Sequence, residues 1–204
     1  MSSLMGYPSY EEVCADIGDK VVHAMRKCVA DARTELAKYR EAFPVWVAEH
    51  TERGLANWIH DRMWSSLRTQ LEGIPGITLV DDGTTRELVC AGLKYRFRAK
   101  RHDEAGGVQS YPTQQALQFH LQPMQLTGLE EYKLDFGYEW DPELRDIGRP
   151  VMSFRHGKQF FFHEVITGDE LPGAVALGAG PQNPTRPGVT VDVHTGKKAE
   201  EQAQ

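Results

Sequence analysis

Two segments of this chain alternate apolar and charged side chains, and this alternation constrains the fold more than any other feature. In residues 93–102 the apolar positions are Leu93, Tyr95, Phe97 and Ala99, and the cationic positions between them are Lys94, Arg96, Arg98 and Lys100. In residues 131–141 the apolar positions are Tyr132, Leu134, Phe136, Tyr138 and Trp140, and the charged positions are Lys133, Asp135, Glu139 and Asp141. Because successive side chains of a β-strand point to opposite faces, both segments predict half-buried strands.

The cations of the first segment form a candidate binding surface. The candidate partner- or phosphate-binding residues are Lys94, Arg96, Arg98, Lys100 and Arg101 in this strand and Phe161 further along the chain. One interpretation pairs the cations with Asp135, Glu139 and Asp141 of a neighbouring strand, where each cross-strand pair stabilises by roughly 0.2–1 kcal/mol. The other interpretation uses them to hold phosphate groups or an acidic protein surface. The aromatic side chains alternate onto the opposite face, so stacking of nucleic-acid bases beside the cations is disfavoured.

The first third of the chain has a helical period instead. Ser9 and Glu12 have the spacing of a capping box, and apolar residues then recur every three or four positions, which predicts a helix over residues 9–42. Phe43-Pro44 ends this helix, because proline lacks an amide donor and restricts the residue before it. A second helix is predicted over residues 45–72, and Trp46, Trp58 and Trp64 are interpreted as its packing residues.

The lengths of these two helices predict self-association. They would be roughly 50 Å and 40 Å long, whereas a strand of about ten residues spans about 33 Å. The apolar stripe of the overhanging part needs a cover, and a second copy of the same hairpin supplies one. The sequence therefore predicts a homodimer formed through residues 9–42 and 45–72.

From residue 77 onward the period is two. Strands are predicted at residues 77–81, 85–91, 151–154 and 159–165, in addition to the two alternating segments, with hairpin turns at Asp82-Gly83 and His156-Gly157. Phe160, Phe161 and Phe162 are consecutive, so at least one of these rings faces away from the main core. Pro150 favours an edge position, or the beginning of its strand, because it cannot donate to a sheet ladder.

These elements predict one α+β domain over residues 1–166. It contains a pair of long N-terminal helices (residues 9–72) packed on an antiparallel sheet of five or six strands (residues 77–166). The composition changes after Gly168, where glycine and proline are frequent and aromatic residues are absent. Residues 167–204 are therefore predicted to form a flexible tail.

Composition narrows the class of protein. The net charge of −6 disfavours general nucleic-acid binding, because the field of the whole molecule does not attract a polyanion. No apolar run reaches the roughly 18 residues of a membrane span. The first residues do not resemble a secretory signal, and the three cysteines form no CxxC pair, so we expect a cytoplasmic protein with reduced thiols.

Patterns typical of catalysis or metal binding are weak. The eight histidines show no zinc-ligand spacing, and there is no nucleophile elbow, so neither a metal nor a cofactor is predicted. One alternative rests on Glu131-Tyr132-Lys133, an E-x-K tripeptide, together with Asp81 and Asp82 upstream. Metal-dependent nucleases use two carboxylates to hold a divalent cation and a lysine near the attacked phosphate.

The sequence thus favours a non-enzymatic protein-interaction or regulatory adaptor, of which an antitoxin-like protein is one example. It would self-associate through the helical hairpin and bind a protein partner through the charged sheet face. The alternative is a nucleic-acid-binding protein or a metal-dependent nuclease that uses the basic strand with Glu131 and Lys133.

Overall fold

The computed structural model describes residues 6–83, 85–108, 113–122 and 130–167. The helices are α1 (Tyr10–Ile17), α2 (Asp19–Ala42), α3 (Pro44–Glu49), α4 (Glu52–Leu71) and α5 (Gln114–Phe119). The strands are β1 (Thr78–Asp81), β2 (Arg86–Cys90), β3 (Tyr95–His102), β4 (Tyr132–Asp141), β5 (Asp146–His156) and β6 (Gln159–Val165). The tail predicted over residues 167–204 lies, apart from Thr167, outside the described residues.

Each of the two predicted long helices is interrupted once. The capping box at Ser9 forms, but α1 ends at Gly18, whose φ of 79° is a conformation that glycine adopts without steric cost. The second helix is divided at His50 and Thr51, because the Thr51 hydroxyl accepts a hydrogen bond from the Gly54 amide and begins α4 as an N-cap. The prediction of two unbroken helices was therefore wrong at these two points, although the long hairpin of α2 and α4 is present.

Six strands form one sheet in the order in which they occur along the chain. The pairs β1–β2, β2–β3, β4–β5 and β5–β6 are antiparallel, as predicted. The two alternating segments, now β3 and β4, are neighbours but run parallel, with Arg98 opposite Asp135. Parallel neighbours need a crossover connection, and the chain between them contains α5.

The core lies between the α2–α4 hairpin and one face of the sheet. It contains the alternating apolar residues of β3 and β4 together with Met152, Phe154 and the inner stripes of both helices. Residues of this core that are almost fully buried include Met25, Leu36, Ile59, Leu67, Tyr95, Phe97, Leu134 and Phe136. The predicted α+β architecture, with helices on a largely antiparallel sheet, is confirmed.

Two local predictions in β5 and β6 were wrong. Pro150 lies inside β5, an interior strand, rather than at its start. This position is tolerated because the ladder to β6 reaches only Val151, so no β6 residue is opposite the proline, whose carbonyl accepts from Ile166 instead. His156 pairs with Gln159, so the hairpin loop is Gly157-Lys158 and not His156-Gly157.

None of the helices in the described part of the chain combines the length and apolar character that crossing a bilayer requires.

Candidate functional site

The face of the sheet away from the hairpin is polar and is crossed by α5. We call it the polar face, and its side chains are Glu87, Arg96, Arg98, Lys100, His102, Lys133, Asp135, Ser153, Arg155 and His163. Register aligns them in rows, with Arg98 opposite Asp135, Asp135 opposite Ser153, and Ser153 opposite His163. Strand periodicity alone brings the residues of the polar face together from five strands.

The arginines of the predicted basic stripe are paired within the protein. Arg96 and Arg98 both donate to the carboxylate of Glu87, which is 7% exposed, and Arg96 also donates to Glu131 at 3.0 Å. Ion pairing was one of the two interpretations of the stripe, but the partners differ from those expected. Glu139 binds Arg149 instead, and Asp141 accepts from the backbone of the β4–β5 turn.

Three of the predicted site residues do not lie on the polar face. Lys94 precedes β3 and forms an ion pair with Asp16 of α1. Arg101 is on the hairpin side, where it pairs with Glu52 and lies over the Trp140 ring. Phe161 occupies a β-bulge and contacts the core, with ring centroids 5.2 Å from Phe154. Of the three consecutive phenylalanines, Phe160 is the one with an exposed side chain.

The crossover helix α5 is fixed to the polar face at its C-terminal end. Its N-cap is Thr113, whose hydroxyl accepts from the Ala116 amide. The Arg98 guanidinium lies 4.0 Å from the centre of the Phe119 ring, a cation–π contact. His120 Nε2 is 2.6 Å from Asp135 Oδ2, and Arg155 Nη2 is 2.9 Å from the same imidazole nitrogen.

Gln122 joins two strands where their direct pairing stops. Its side-chain amide donates to the carbonyls of Lys133 and Arg155, and its amide oxygen accepts from the Lys133 amide at 2.9 Å. One buried side chain thereby completes the hydrogen bonding of β4 and β5. The connection that contains α5 therefore covers the polar face of the sheet and also takes part in the sheet's hydrogen bonding.

A second buried cluster lies where β3 ends. His102 Nε2 and Ser153 Oγ are 3.0 Å apart, and the His102 and His163 rings have centroids 5.6 Å apart. Gly106 lies against His163, since a Cβ there would come within 2.7 Å of the ring. Burial lowers the pKa of His102 to about 4, with the carboxylate of Asp135 acting in the opposite direction. The imidazole is therefore neutral at neutral pH.

Several buried groups of the polar face have hydrogen-bonding atoms that no described residue uses. Burial lowers the pKa of the Lys100 ammonium, and the nearby Asp135 carboxylate opposes that shift. Asp135 Oδ1, Arg155 Nε and His163 Nε2 are buried and have no hydrogen-bond partner among the described residues. Because buried polar atoms are normally satisfied, these atoms mark where water or a ligand group would be accepted.

An open cleft of about 320 Å³ lies beside the buried layer, between α5 and the first residues of β3 and β4. Arg96, Arg98, Lys133, Glu87 and Phe119 are among its lining residues. The Lys133 ammonium makes no ion pair or hydrogen bond with any described residue. Exposed apolar side chains in this part of the chain are Leu117 of α5, Leu121 just after α5, and Phe160 of β6.

The carboxylates of the nuclease hypothesis are not brought together. Asp81 is on β1 and accepts from Trp64 on the hairpin side, whereas Glu131 binds Arg96 on the polar face. Three interstrand spacings and about five residue positions along the strands separate them, or roughly 20 Å at ordinary sheet dimensions. Within the described residues no group of three His, Cys, Asp or Glu side chains has the arrangement of a metal site.

The thiols are free, as the sequence predicted. Cys28 and Cys90 are buried, and Cys14 is partly exposed. Burial raises the pKa of Cys90 to about 12 and raises that of Cys28 as well, which makes both thiols poor nucleophiles.

Sequence reasoning missed the residues that organise this face. His120 is isolated in the sequence and Ser153 is unremarkable there, so their roles follow only from the parallel pairing that brings α5 over Asp135. One sequence feature could have indicated this cluster. When the two alternating strands are placed side by side, Asp135 lies on the same face as the cations of β3.

No protein-family model matches the chain, and no curated protein or solved structure is significantly similar to it.

Proposed function

We propose that this protein is a non-enzymatic adaptor that holds an acidic segment of a partner protein in the cleft of the polar face. The observation that carries the proposal is the Lys133 ammonium, which pairs with no described residue and lies beside Arg96 in register on the neighbouring strand. A carboxylate of the partner entering the cleft would meet this cation without displacing an ion pair among the described residues. Charge-assisted hydrogen bonds of this kind are the stronger ones at interfaces.

The local charge supports an acidic partner. Among the residues that line the cleft, the three cations Arg96, Arg98 and Lys133 outnumber the two carboxylates Glu87 and Glu131. This local excess is opposite in sign to the net charge of −6 of the whole chain. The cleft therefore favours a short acidic segment over an extended polyanion, whose remaining charges would meet the negative remainder of the protein.

Apolar side chains beside the cations supply anchoring surface. Leu117, Leu121 and Phe160 are exposed, and the Arg155 guanidinium lies 5.8 Å from the centre of the Phe160 ring. Burying even one such side chain contributes about 1.5–3 kcal/mol, which exceeds an exposed ion pair. The partner segment is expected to combine acidic residues with a leucine or an aromatic residue.

Two features weigh against the other function classes. Ser153 and His102 are hydrogen-bonded to each other, but both are buried, so this pair has no open path to a substrate in the described structure. The aromatic residues of β3, Tyr95 and Phe97, lie on the core side and offer no stacking platform beside the cations. Both features favour a binding role for the face, with a protein ligand.

The experiment is a selection of short random peptides displayed on phage against the full-length protein. Peptides rich in Asp and Glu with one large apolar residue are expected, with affinity that falls as salt rises and is lost in Lys133→Glu. Lys20→Glu, the same charge change at an exposed position on α2, serves as the matched control. Selection of peptides whose affinity is the same in both variants would contradict the proposal. Binding of labelled DNA or RNA that is lost only in Lys133→Glu would favour the nucleic-acid alternative.

A further inference from the structure

The end of the helical hairpin carries a second surface, independent of the polar face. We call it the hairpin tip and define it by Phe43, Val45 and Trp46, which are 46%, 62% and 60% exposed. The Phe43 and Trp46 rings are stacked, with centroids 4.7 Å apart and planes at 12°. Three large apolar residues exposed within four positions are typical of an interaction surface.

The exposed rings continue a stack that begins inside the protein. Trp58 of α4 stacks on Tyr39 of α2 at 5.0 Å, and Tyr39 is 5.9 Å from Phe43. The inner rings are partly buried, and exposure increases outward to Trp46. The outer rings are consequently held in place by the hairpin rather than free to rotate, which lowers the entropic cost of an additional contact.

The tip is exposed because the hairpin extends past the sheet. Arg33 of α2 donates to the Ile147 carbonyl near the beginning of β5, and Arg40, further along α2, donates to the Arg145 carbonyl in the β4–β5 turn. The end of α2 therefore lies beside this turn rather than over a strand. The adjacent β4–β5 turn adds Leu144, which is 72% exposed, and the next residue, Arg145, donates to the carbonyl of His50. The apolar surface therefore spans both the tip and this turn.

A shallow, wide-open depression lies directly beside the protruding rings. Its volume is about 470 Å³, and it is lined by Tyr39, Trp46, Glu49, His50 and Thr51. A protruding ring pair next to a shallow depression suits an isologous two-fold contact, because the same patch on both copies can be self-complementary.

The charged residues around the tip are balanced in sign. Lys38, Glu41, Glu49 and Arg53 are exposed and form no ion pair with a described residue. Two cations and two carboxylates suit a copy of the same surface turned by a two-fold rotation, in which each sign can meet the other. A partner of single charge sign would be repelled by half of this rim.

The area is also in the range of a weak homodimer. Using roughly 150–250 Å² per large side chain, the exposed parts of Phe43, Val45, Trp46 and Leu144 offer about 400–500 Å² per copy. Two copies with their polar rim reach about 1,200 Å², the lower limit for specific interfaces. Interfaces of this small size are typical of weak, transient contacts, so we expect association only at micromolar or higher concentrations.

We infer that the hairpin tip is the contact surface with a second copy of this chain, in a two-fold homodimer. This inference localises self-association to residues 43–46 and the β4–β5 turn, and it does not depend on the function proposed for the polar face.

Sedimentation velocity of the full-length chain across the micromolar range tests the inference. Reversible monomer–dimer association is expected for the unmodified protein, and at least a tenfold weaker association is expected for Trp46→Asp. Leu93→Asp, which places the same charge at an apolar position that is 66% exposed and lies just before β3, should associate like the unmodified protein. Circular dichroism and thermal melting establish that both variants are folded. A monomer at every concentration, or equal association of both variants, would overturn the inference.

Charge-reversal variants distinguish a specific two-fold contact from non-specific association of apolar surfaces. E41K/E49K makes the rim entirely basic, and K38E/R53E makes it entirely acidic. Each variant alone should lose self-association, and an equimolar mixture should form a heterodimer.

If the unmodified protein is monomeric and acrylamide does not quench its tryptophan fluorescence, other residues of the same chain cover Trp46, and the inference is wrong. Homodimers that survive in both charge variants would also contradict it.

Discussion

His120 Nε2 lies 2.6 Å from Asp135 Oδ2, and both side chains are buried. This contact joins the end of the crossover helix to the middle of β4, the central parallel partner of β3. Arg155 Nη2 of β5 lies 2.9 Å from the same imidazole nitrogen, so three elements meet at one side chain. The position of α5, and with it the wall of the cleft, depends on this group.

Replacing His120 with alanine should therefore destabilise the protein and release α5. Asp135 would keep a buried carboxylate whose two oxygens both lack a described partner, at a cost of about 2–4 kcal/mol in the free energy of unfolding. Urea denaturation measures the loss, and hydrogen exchange should show faster exchange in residues 114–122. His23→Ala on α2 is the control and should change stability by less than about 0.5 kcal/mol. Unchanged exchange in α5 would show that His120 does not hold the helix.

Glu87 and Glu131 allow a matched comparison of buried and exposed ion pairs. Glu87 has a side-chain exposure of 9% and pairs with Arg98, whose side chain is 13% exposed, whereas the Glu131 side chain is 37% exposed. Glu87→Ala leaves a nearly buried guanidinium without its partner and should cost about 3 kcal/mol. Glu131→Ala removes the same charge at the surface and should cost at most about 1 kcal/mol. Equal losses in denaturation experiments would mean that Glu87 is better hydrated than its burial implies.

Acid should destabilise the protein through His102. Burial lowers the pKa of this imidazole to about 4, whereas an unfolded histidine titrates near 6.5. Between these values the unfolded chain binds more protons, so stability falls as the pH decreases from about 6.5 to 4, by about 3 kcal/mol. Urea midpoints measured across this range should show at least that slope. Burial also lowers the pKa of His60 to about 4, so His102→Gln should reduce the slope by about half rather than abolish it. A slope that is unchanged in the variant would assign the acid sensitivity to other groups.

Alanine substitutions at Phe160 and Phe161 should separate effects on peptide binding from effects on stability. Phe161 contacts the rings of Tyr7 and Phe154 in the core, so Phe161→Ala should reduce the free energy of unfolding by about 2 kcal/mol. Phe160 is 41% exposed, so Phe160→Ala should change stability by about 0.5 kcal/mol or less while weakening peptide binding in the cleft. The reverse pattern would place Phe161, as first expected from the sequence, in the binding surface.

The sequence predicts the layers of this fold well because periodicity reports which residues share a face. The alternation in residues 93–102 and 131–141 identified two adjacent strands and their buried residues, such as Phe97 and Leu134. It did not reveal their parallel direction, since a strand has the same period in either direction. The partners of Arg96 and Arg98 were missed for a related reason, because Glu87 enters the site from β2.

Local chemistry explains the remaining differences. The apolar period continues through Gly18, so the break there is visible only in its backbone conformation. The bulge that turns Phe161 into the core depends on the β5–β6 register, which a run of three phenylalanines does not specify. The hairpin overhang was predicted from helix lengths, but its exposed rings at Phe43 and Trp46 follow from where β5 begins beneath α2.

The most direct test of the adaptor role compares proteins captured from the native host by three immobilised forms of the full-length chain, using quantitative mass spectrometry. The forms are the unmodified protein, Lys133→Glu and the matched control Lys20→Glu. We expect at least one protein with an acidic segment that is captured by the unmodified chain and by Lys20→Glu, and whose recovery falls at least tenfold with Lys133→Glu. Identical sets of captured proteins for all three forms would contradict a partner site at Lys133.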